Sequence, residues 1–568
     1  MSTPAGPRPS RLPGPSGLAR LSRLPGAFRR ARPSRPRRGP RPRWSPRRLV
    51  PALAVLLLAP GTACTSDSPR PVTLRVLAGT ELADMAPLLD ELRHQTGIRL
   101  EMEYRGTVDA SRELTPGSYR HDLAWLASDR YVELRHKAAG GAAERPLATT
   151  IMRSPVVIGM KPRTAQRLRA RTPDRQISWA DVADAAADGS LTFAMADPRH
   201  TNSGLAALVG VATAAAGTGG VLRPADVSCD RLRGFFSGHT LTEGSSERLG
   251  ESFVRRQGEL DALITYESEL LTLKRAGVLR TPLEIVYPQD GMLLSDYPLL
   301  LLDPGKRAAY DRLVEWLRSR PVQERIMERT QRRPIDPAVP RSPALREPIG
   351  NALYFPGRQE VVDRLVASYD TARRAGPARV LFLLDFSGSM RGAGIRALRT
   401  TFDGLSGADD SRTGKFARFH RGETLTVLRF GGKVLERRTV TYRGERDLER
   451  LRSLVASEGF DTTTAIWSGL DAAYRTAAGM LREDPARPLS IVLMTDGRNN
   501  AGMSLDAFLR AQRARTGPVA SVRTYAVRYG EADADELGRA ARATGGRLLD
   551  ATERPLLDAF KEMRGCVQ

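Results

Sequence analysis

The sequence predicts an α/β protein made of two modules in series. Two observations carry this expectation. From Val72 to about Ala338, strand-like and helix-like segments alternate, the pattern of a doubly wound unit long enough for two lobes. From about residue 378, uniformly apolar strands again alternate with helices, but here two of them end in carboxylates. Strands of that kind belong in a parallel sheet covered on both faces.

The 568-residue chain carries a net charge of +24, which raises the question of nucleic-acid binding. The distribution argues against it. Residues 1–49 hold fourteen arginines and no acid, leaving +10 for the rest, where both signs mix along the helices. No zinc-finger spacing, aromatic–basic ladder or other nucleic-acid motif is present.

Residues 1–63 read as an Arg-rich leader and signal peptide. Leu49 to Pro60 is an apolar run of about a dozen residues, too short to span a bilayer and suited to a signal-peptide core. Gly61-Thr62-Ala63-Cys64 then resembles a bacterial lipobox, with Gly61 where leucine is usual. The resemblance implies acylation of Cys64 and a lipid tether on the extracellular face of the bacterial cell membrane. Without acylation the protein would be secreted. Cys229 and Cys566 remain as free thiols or a pair, and their spacing does not decide which.

The expected boundaries are a tether over 64–71, a first module over 72–338, a linker and connecting helix over 339–377, a second module over 378–562 and a tail over 563–568. Thr73-Leu77 reads as a strand, Leu82-Thr96 as an amphipathic helix and Ile98-Tyr104 as a strand. Ile335 to Pro348 is rich in Pro and Arg and reads as a linker, with a helix from Val361 to Arg374. Further strands are expected at Thr424-Phe430, Val522-Val527 and Gly545-Leu549, with helices at Gly392-Leu405, Arg446-Ala456, Ala465-Met480 and Glu536-Thr544.

The chemistry concentrates in the second module. Val380-Leu384 delivers Asp385-Phe386-Ser387-Gly388-Ser389, a carboxylate and two spaced hydroxyls on a turn. Leu489-Met494 delivers Thr495-Asp496-Gly497, and Gly459-Thr464 supplies threonine hydroxyls between them. All are hard oxygen donors of the kind Mg2+ prefers, and loops at strand C-termini can converge. The module resembles the von Willebrand factor A (VWA) domain family over roughly Arg379 to Phe560. The resemblance implies a metal-ion-dependent adhesion site formed by Asp385, Ser387, Ser389, a threonine and Asp496, holding Mg2+ (or Mn2+ or Ca2+) and engaging an acidic group of a protein partner. Thr464 fits the threonine position best, with Thr462 and Thr463 as neighbours that could take it.

The first module resembles the type II extracellular solute-binding proteins of ABC transport systems. Its opening strand, Gly79-Thr80-Glu81-Leu82, Asp122-Ser128, Asp197-Gly204 and Leu263-Glu269 carry that resemblance. It implies a cleft for a small anionic solute at helix N-termini, with Thr80, Asn202, Ser203 and Tyr266 as candidate lining. Asn and Ser are also preferred helix caps, a role that needs no ligand. No nucleophile elbow, phosphate loop or zinc-ligand set occurs, so an enzyme is not expected. The expected function is a lipid-anchored binding or adhesion protein. The alternative is the substrate-binding component of an ABC-type uptake system, with the VWA domain as docking module.

Overall fold

Strand ends and helix starts in this chain are set by local sequence, and the sheets follow from the order in which the strands appear. The computed structural model describes residues 71–140, 145–172, 174–227 and 231–564. The leader, most of the tether, and Cys64, Cys229 and Cys566 lie outside them. The first lobe begins with β1 (Val72–Gly79), β2 (Ile98–Arg105), β3 (Leu123–Trp125) and β4 (Leu147–Thr150). The chain crosses to the second lobe for β5 (Met152–Met160), β6 (Phe193–Met195), β7 (His239–Leu241), β8 (Ala262–Tyr266), β9 (Glu284–Val286) and β10 (Leu294–Ser295), returns to the first as β11 (Pro298–Leu301), and later adds β12 (Arg333–Pro334) to the second lobe's sheet. The sheet orders are β2-β1-β3-β11-β4 and β10-β5-β8-β6-β7, with β9 and β12 both pairing with β5. Each sheet takes one antiparallel strand from the crossing chain into an otherwise parallel core, β11 against β3 and β5 against β8.

One local expectation needs correction. The helix foreseen from Leu82 begins later: Thr80–Met85 is a 3-10 turn, and α1 runs Ala86–Thr96 with Pro87 in its first turn. Proline is pre-organised for that position and sets the start of the α-helix there. The Pro/Arg-rich stretch read as a linker packs on the first module. Val339 and Leu345 are buried against Leu271 and Met327. Just upstream, Arg333 makes a bidentate pair with Glu267, 2.7 Å on each arm, with the two side chains 2% and 0% exposed.

The remaining helices that position the sites are α2 (Trp179–Ala187) and α3 (Asn202–Ala216) in the second lobe, then α4 (Gln359–Ala375), the connecting helix. Val361, Val362, Leu365 and Tyr369 of α4 join the core of the first module. Its N-terminal end meets the first lobe, where Gln359 Nε2 donates to Tyr131 Oη at 3.2 Å. Its C-terminal half meets the second, through Asp370 with Arg199 at 3.1 Å and Tyr369 Oη with Thr242 Oγ1 at 3.3 Å. One helix thus braces both lobes.

The second module is a single sheet of β13 (Arg379–Asp385), β14 (Thr424–Phe430), β15 (Val434–Thr441), β16 (Leu489–Thr495), β17 (Arg523–Arg528) and β18 (Leu548–Asp550), in the order β15-β14-β13-β16-β17-β18. Five strands are parallel, and β15, which the apolar pattern did not reveal, adds an antiparallel edge. β13, β14 and β16 are buried at every residue because helices cover both faces. Those helices include α5 (Ala393–Asp403), the short α6 (Arg412–Ala417), α7 (Ile466–Glu483) and α8 (Leu556–Arg564).

The two modules are docked through α6. Phe416 is buried in the core cluster of the first module. Lys415 Nζ reaches Asp181 Oδ1 of α2 at 2.5 Å, and Arg418 reaches Asp184 Oδ1 at 2.6 Å. The Arg421 amide donates to the Ala187 carbonyl at 2.8 Å. Among the described residues, no helix is long and apolar enough to cross a membrane.

Candidate functional site

β13 ends on Asp385, whose side chain has no exposure to solvent. The Ser387 amide donates to Asp385 Oδ1 at 2.7 Å, and Thr495 Oγ1, from the end of β16, donates to Oδ2 at 2.5 Å. The carboxylate is therefore fixed by the two neighbouring strand ends. A 3-10 turn over Gly388–Met390 then lifts Ser389 to the surface. Ser387 Oγ and Ser389 Oγ lie 3.0 Å apart, and Ser389 Oγ donates to Asp496 Oδ1 at 2.7 Å. Five residues predicted from three separate segments are thus drawn to one sheet edge, four of them through a continuous chain of hydrogen bonds.

The fifth is Thr464. Its amide donates to Asn500 Oδ1 at 2.8 Å, and its carbonyl accepts from the Asn500 amide at 2.9 Å, which pins the threonine loop to the loop after β16. A methyl group placed on Gly497 would sit 3.5 Å from Ser389 Oγ and 3.7 Å from Thr464 Oγ1, so both hydroxyls face the same small space. Thr463 instead turns its hydroxyl toward Gly432, and Thr462 is exposed. Asn500 is a positioning residue that the sequence reading missed.

The electrostatics of this edge are one-sided. Burial pushes the Asp385 carboxyl up to about 6; hydrogen bonds from Thr495 and Ser387 oppose the rise and the charge of Asp496 adds to it. Burial also raises Asp496, against the hydrogen bond from Ser389. Among the described residues, no arginine or lysine forms an ion pair with either acid. The first turn of α5 passes close by, with a methyl on Gly394 falling 3.7 Å from Asp496 Oδ2. Helix-start dipoles favour such a carboxylate only weakly. Two buried carboxylates with hydroxyls and no cation suit a hard divalent ion such as Mg2+. Among the described residues, no group of three or more His, Cys, Asp and Glu is placed to hold a metal, and this centre has only two acids, its other donors being hydroxyls.

The cleft candidates are placed differently. Asn202 is 8% exposed and Tyr266 2%. Asn202 Nδ2 donates to Tyr266 Oη at 3.1 Å and to Ser295 Oγ at 2.8 Å. Tyr266 Oη in turn donates across the lobes to Glu81 Oε1 at 3.2 Å, which also accepts from Thr107 Oγ1 at 3.1 Å. Thr80 Oγ1 lies 3.4 Å from Glu81 Oε2. Ser203 does not join them: it is 1% exposed and bonded to Ser246 Oγ at 2.8 Å inside the second lobe. Neither Asn202 nor Ser203 caps α3; Thr201 does, accepting from the Gly204 amide at 3.2 Å. Glu81, Thr107 and Ser295 are the cleft residues that the sequence reading did not single out. The lobes also touch along the backbone, where the Val108 amide donates to the His200 carbonyl at 3.1 Å. A methyl on Gly106 would fall 2.3 Å from that same oxygen.

A two-lobed binding module joined to a doubly wound domain with an oxygen-donor centre at its strand ends is the class of protein that these observations define. Residues 74–329 match the family described as bacterial extracellular solute-binding protein, and residues 380–557 match the von Willebrand factor type A domain. The first module is thus a solute-binding domain and the second a VWA domain. Both are binding families, and an extracellular solute-binding module fits an extracellular protein. Similar solved structures include the periplasmic binding protein AfuA from Actinobacillus pleuropneumoniae with fructose-6-phosphate bound, at 13% identity and a TM-score of 0.41, covering 52% of this chain and 97% of that one. A periplasmic thiamin binding protein gives 13% identity and a TM-score of 0.41, over 54% and 98%. The substrate binding protein of an ABC transporter from Agrobacterium tumefaciens gives 15% and 0.40, over 53% and 94%. No curated protein matches the chain.

Proposed function

We propose that this chain is a cell-surface binding protein. In this reading Asp385, Ser387, Ser389, Thr464 and Asp496 hold one divalent cation, Mg2+ or in its place Mn2+ or Ca2+, and an acidic side chain of a protein partner completes its shell. The cation breaks no bond; it supplies a charge-assisted contact of fixed geometry. Acylation of Cys64 would tether the protein to the outer face of the cell membrane. The observation that carries the reading is the pair of buried carboxylates, linked through Ser387 and Ser389, with no Arg or Lys ion-paired to either among the described residues.

The uptake reading asks more of the cleft. A solute entering it would have to displace the contacts that Tyr266, Asn202 and Glu81 already make with one another. Those contacts support a first module that serves as a scaffold. Thermal unfolding of the mature chain in EDTA and with Mg2+, Mn2+ or Ca2+ tests the proposal. A metal-dependent rise in melting temperature that is lost in Asp385→Ala and Asp496→Ala is expected. An equal response of the parent and both variants to metal would refute it.

A further inference from the structure

We infer that the partner presents a cluster of acidic side chains to the metal centre, because three unneutralised arginines frame its mouth. This rests on the metal-bridged reading above. Arg391 follows directly on the turn that carries Ser389, Arg498 follows Gly497, and Arg396 lies in the first turn of α5, which passes Asp496. All three side chains are exposed. None is in an ion pair among the described residues, whereas elsewhere in the domain Arg429, Arg515 and Arg528 are tied to Glu436, Asp471 and Asp550.

Arg391 is also held in place. Its guanidinium lies 5.4 Å from the centre of the Phe460 ring, and Phe460 stacks at 5.7 Å on Phe386, the residue between Asp385 and Ser387. A cation over an aromatic face loses less freedom on binding than one on a free tether. The arginines do not hold the centre itself: Asp385 is fixed by the Ser387 amide and Thr495, and Asp496 by Ser389. Of the acids on this edge, Asp461 is turned onto the amides of Thr462 and Gly432, and Glu531 is the exposed exception, its amide bonded to the Asp496 carbonyl. The rim is therefore net positive around a cation site. A single carboxylate would satisfy the metal and leave the arginines unmatched; a run of Asp or Glu satisfies both. Such rim charges set specificity and salt dependence more than raw affinity.

The experiment measures binding of two synthetic peptides to the mature chain with Mg2+ present: Gly-Ser-Asp-Ser-Gly and Gly-Asp-Asp-Asp-Gly. At low salt the three-acid peptide should bind roughly tenfold tighter, about 1.4 kcal/mol. That preference should collapse near about 0.5 M salt, where screening acts within a few ångströms. It should also collapse in the double variant Arg391→Glu with Arg498→Glu, and persist in Arg482→Glu, at the opposite end of α7. Equal affinity for the two peptides, binding of neither, or a preference that survives the double reversal overturns the inference. Binding indifferent to EDTA, with the preference intact, overturns the metal bridge and leaves the arginine rim standing.

Discussion

Replacing Asp385 with asparagine should make the metal-free protein more stable while abolishing its response to metal. Asp385 is fully buried, and its carboxyl is moved from 3.8 to about 6, chiefly by burial. A folded-state value raised above the unfolded one means that the charged form opposes folding. The penalty is absent below about pH 4, grows as pH rises, and is complete above about 6. At 1.36 kcal/mol per unit it amounts to about 3 kcal/mol at neutral pH. Asparagine keeps the geometry: its oxygen can accept from the Ser387 amide, and its amide can donate to Thr495 Oγ1. At about 2–4 °C per kcal/mol for a domain of this size, the transition of the second module should rise by roughly 6–12 °C in EDTA at pH 7.5. At pH 4 the two proteins should melt together. With Mg2+ the order should reverse, because the parent gains the ion and Asp385→Asn does not. Calorimetry of both proteins in EDTA across pH 4 to 8, then with Mg2+, reads all three outcomes. A metal-free Asp385→Asn protein that melts below the parent at pH 7.5 would show that this carboxylate stabilises the fold as it stands, and the argument for a missing cation would fail.

Two further outcomes are expected. Lys415→Ala combined with Arg418→Ala removes both cationic arms of the dock at α6, so the transition of the second module should move away from that of the first; transitions that keep their spacing would mean that apolar contacts such as Phe416 hold the dock alone. Tyr266→Phe and Asn202→Ala each break the same hydrogen-bonded chain to Glu81 and should each cost about 1–2 kcal/mol in urea denaturation, with the double variant costing clearly less than the sum. Strict additivity would show that the three residues do not act as one network.

The cluster of oxygen donors was legible because each of its parts is local. Asp385 and Asp496 each follow an apolar strand directly, and a parallel sheet brings such ends together whatever lies between. What stayed hidden depends on partners far away in sequence. β15 is polar, half of it exposed, and it is a strand because Thr439 and Thr441 pair with Thr426 and Thr424 of β14. The six-residue α6 has no amphipathic stripe of useful length, and its role comes from Asp181 and Asp184, more than two hundred residues earlier. In the cleft, residue type suggested helix caps and ligand contacts. It could not show that Glu81 would reach Tyr266 across the lobes, because that contact exists only after both lobes have folded and met.

The way the modules dock bears on what the metal edge can do. The contacts to the second lobe fall at the N-terminal ends of the central strands: the Arg421 amide meets the Ala187 carbonyl three residues before β14, and Arg233 Nη1 meets the Gly376 carbonyl three residues before β13. The oxygen donors lie at the opposite ends, after Asp385 and Thr495. Seven strand residues at about 3.3 Å each separate the two edges by roughly 20 Å. Docking therefore covers the end of the sheet that has no donor site and leaves Ser389 exposed. Had the second lobe packed on the C-terminal edge, its own acids would have been candidates for the last place in the metal shell and no external partner would be needed. With that edge open, the shell of a cation held there, on the proposed reading, would be completed by water or by a group from another molecule. On that reading a partner's acid is the group that fits both the cation proposed between the buried carboxylates and the arginines at the rim.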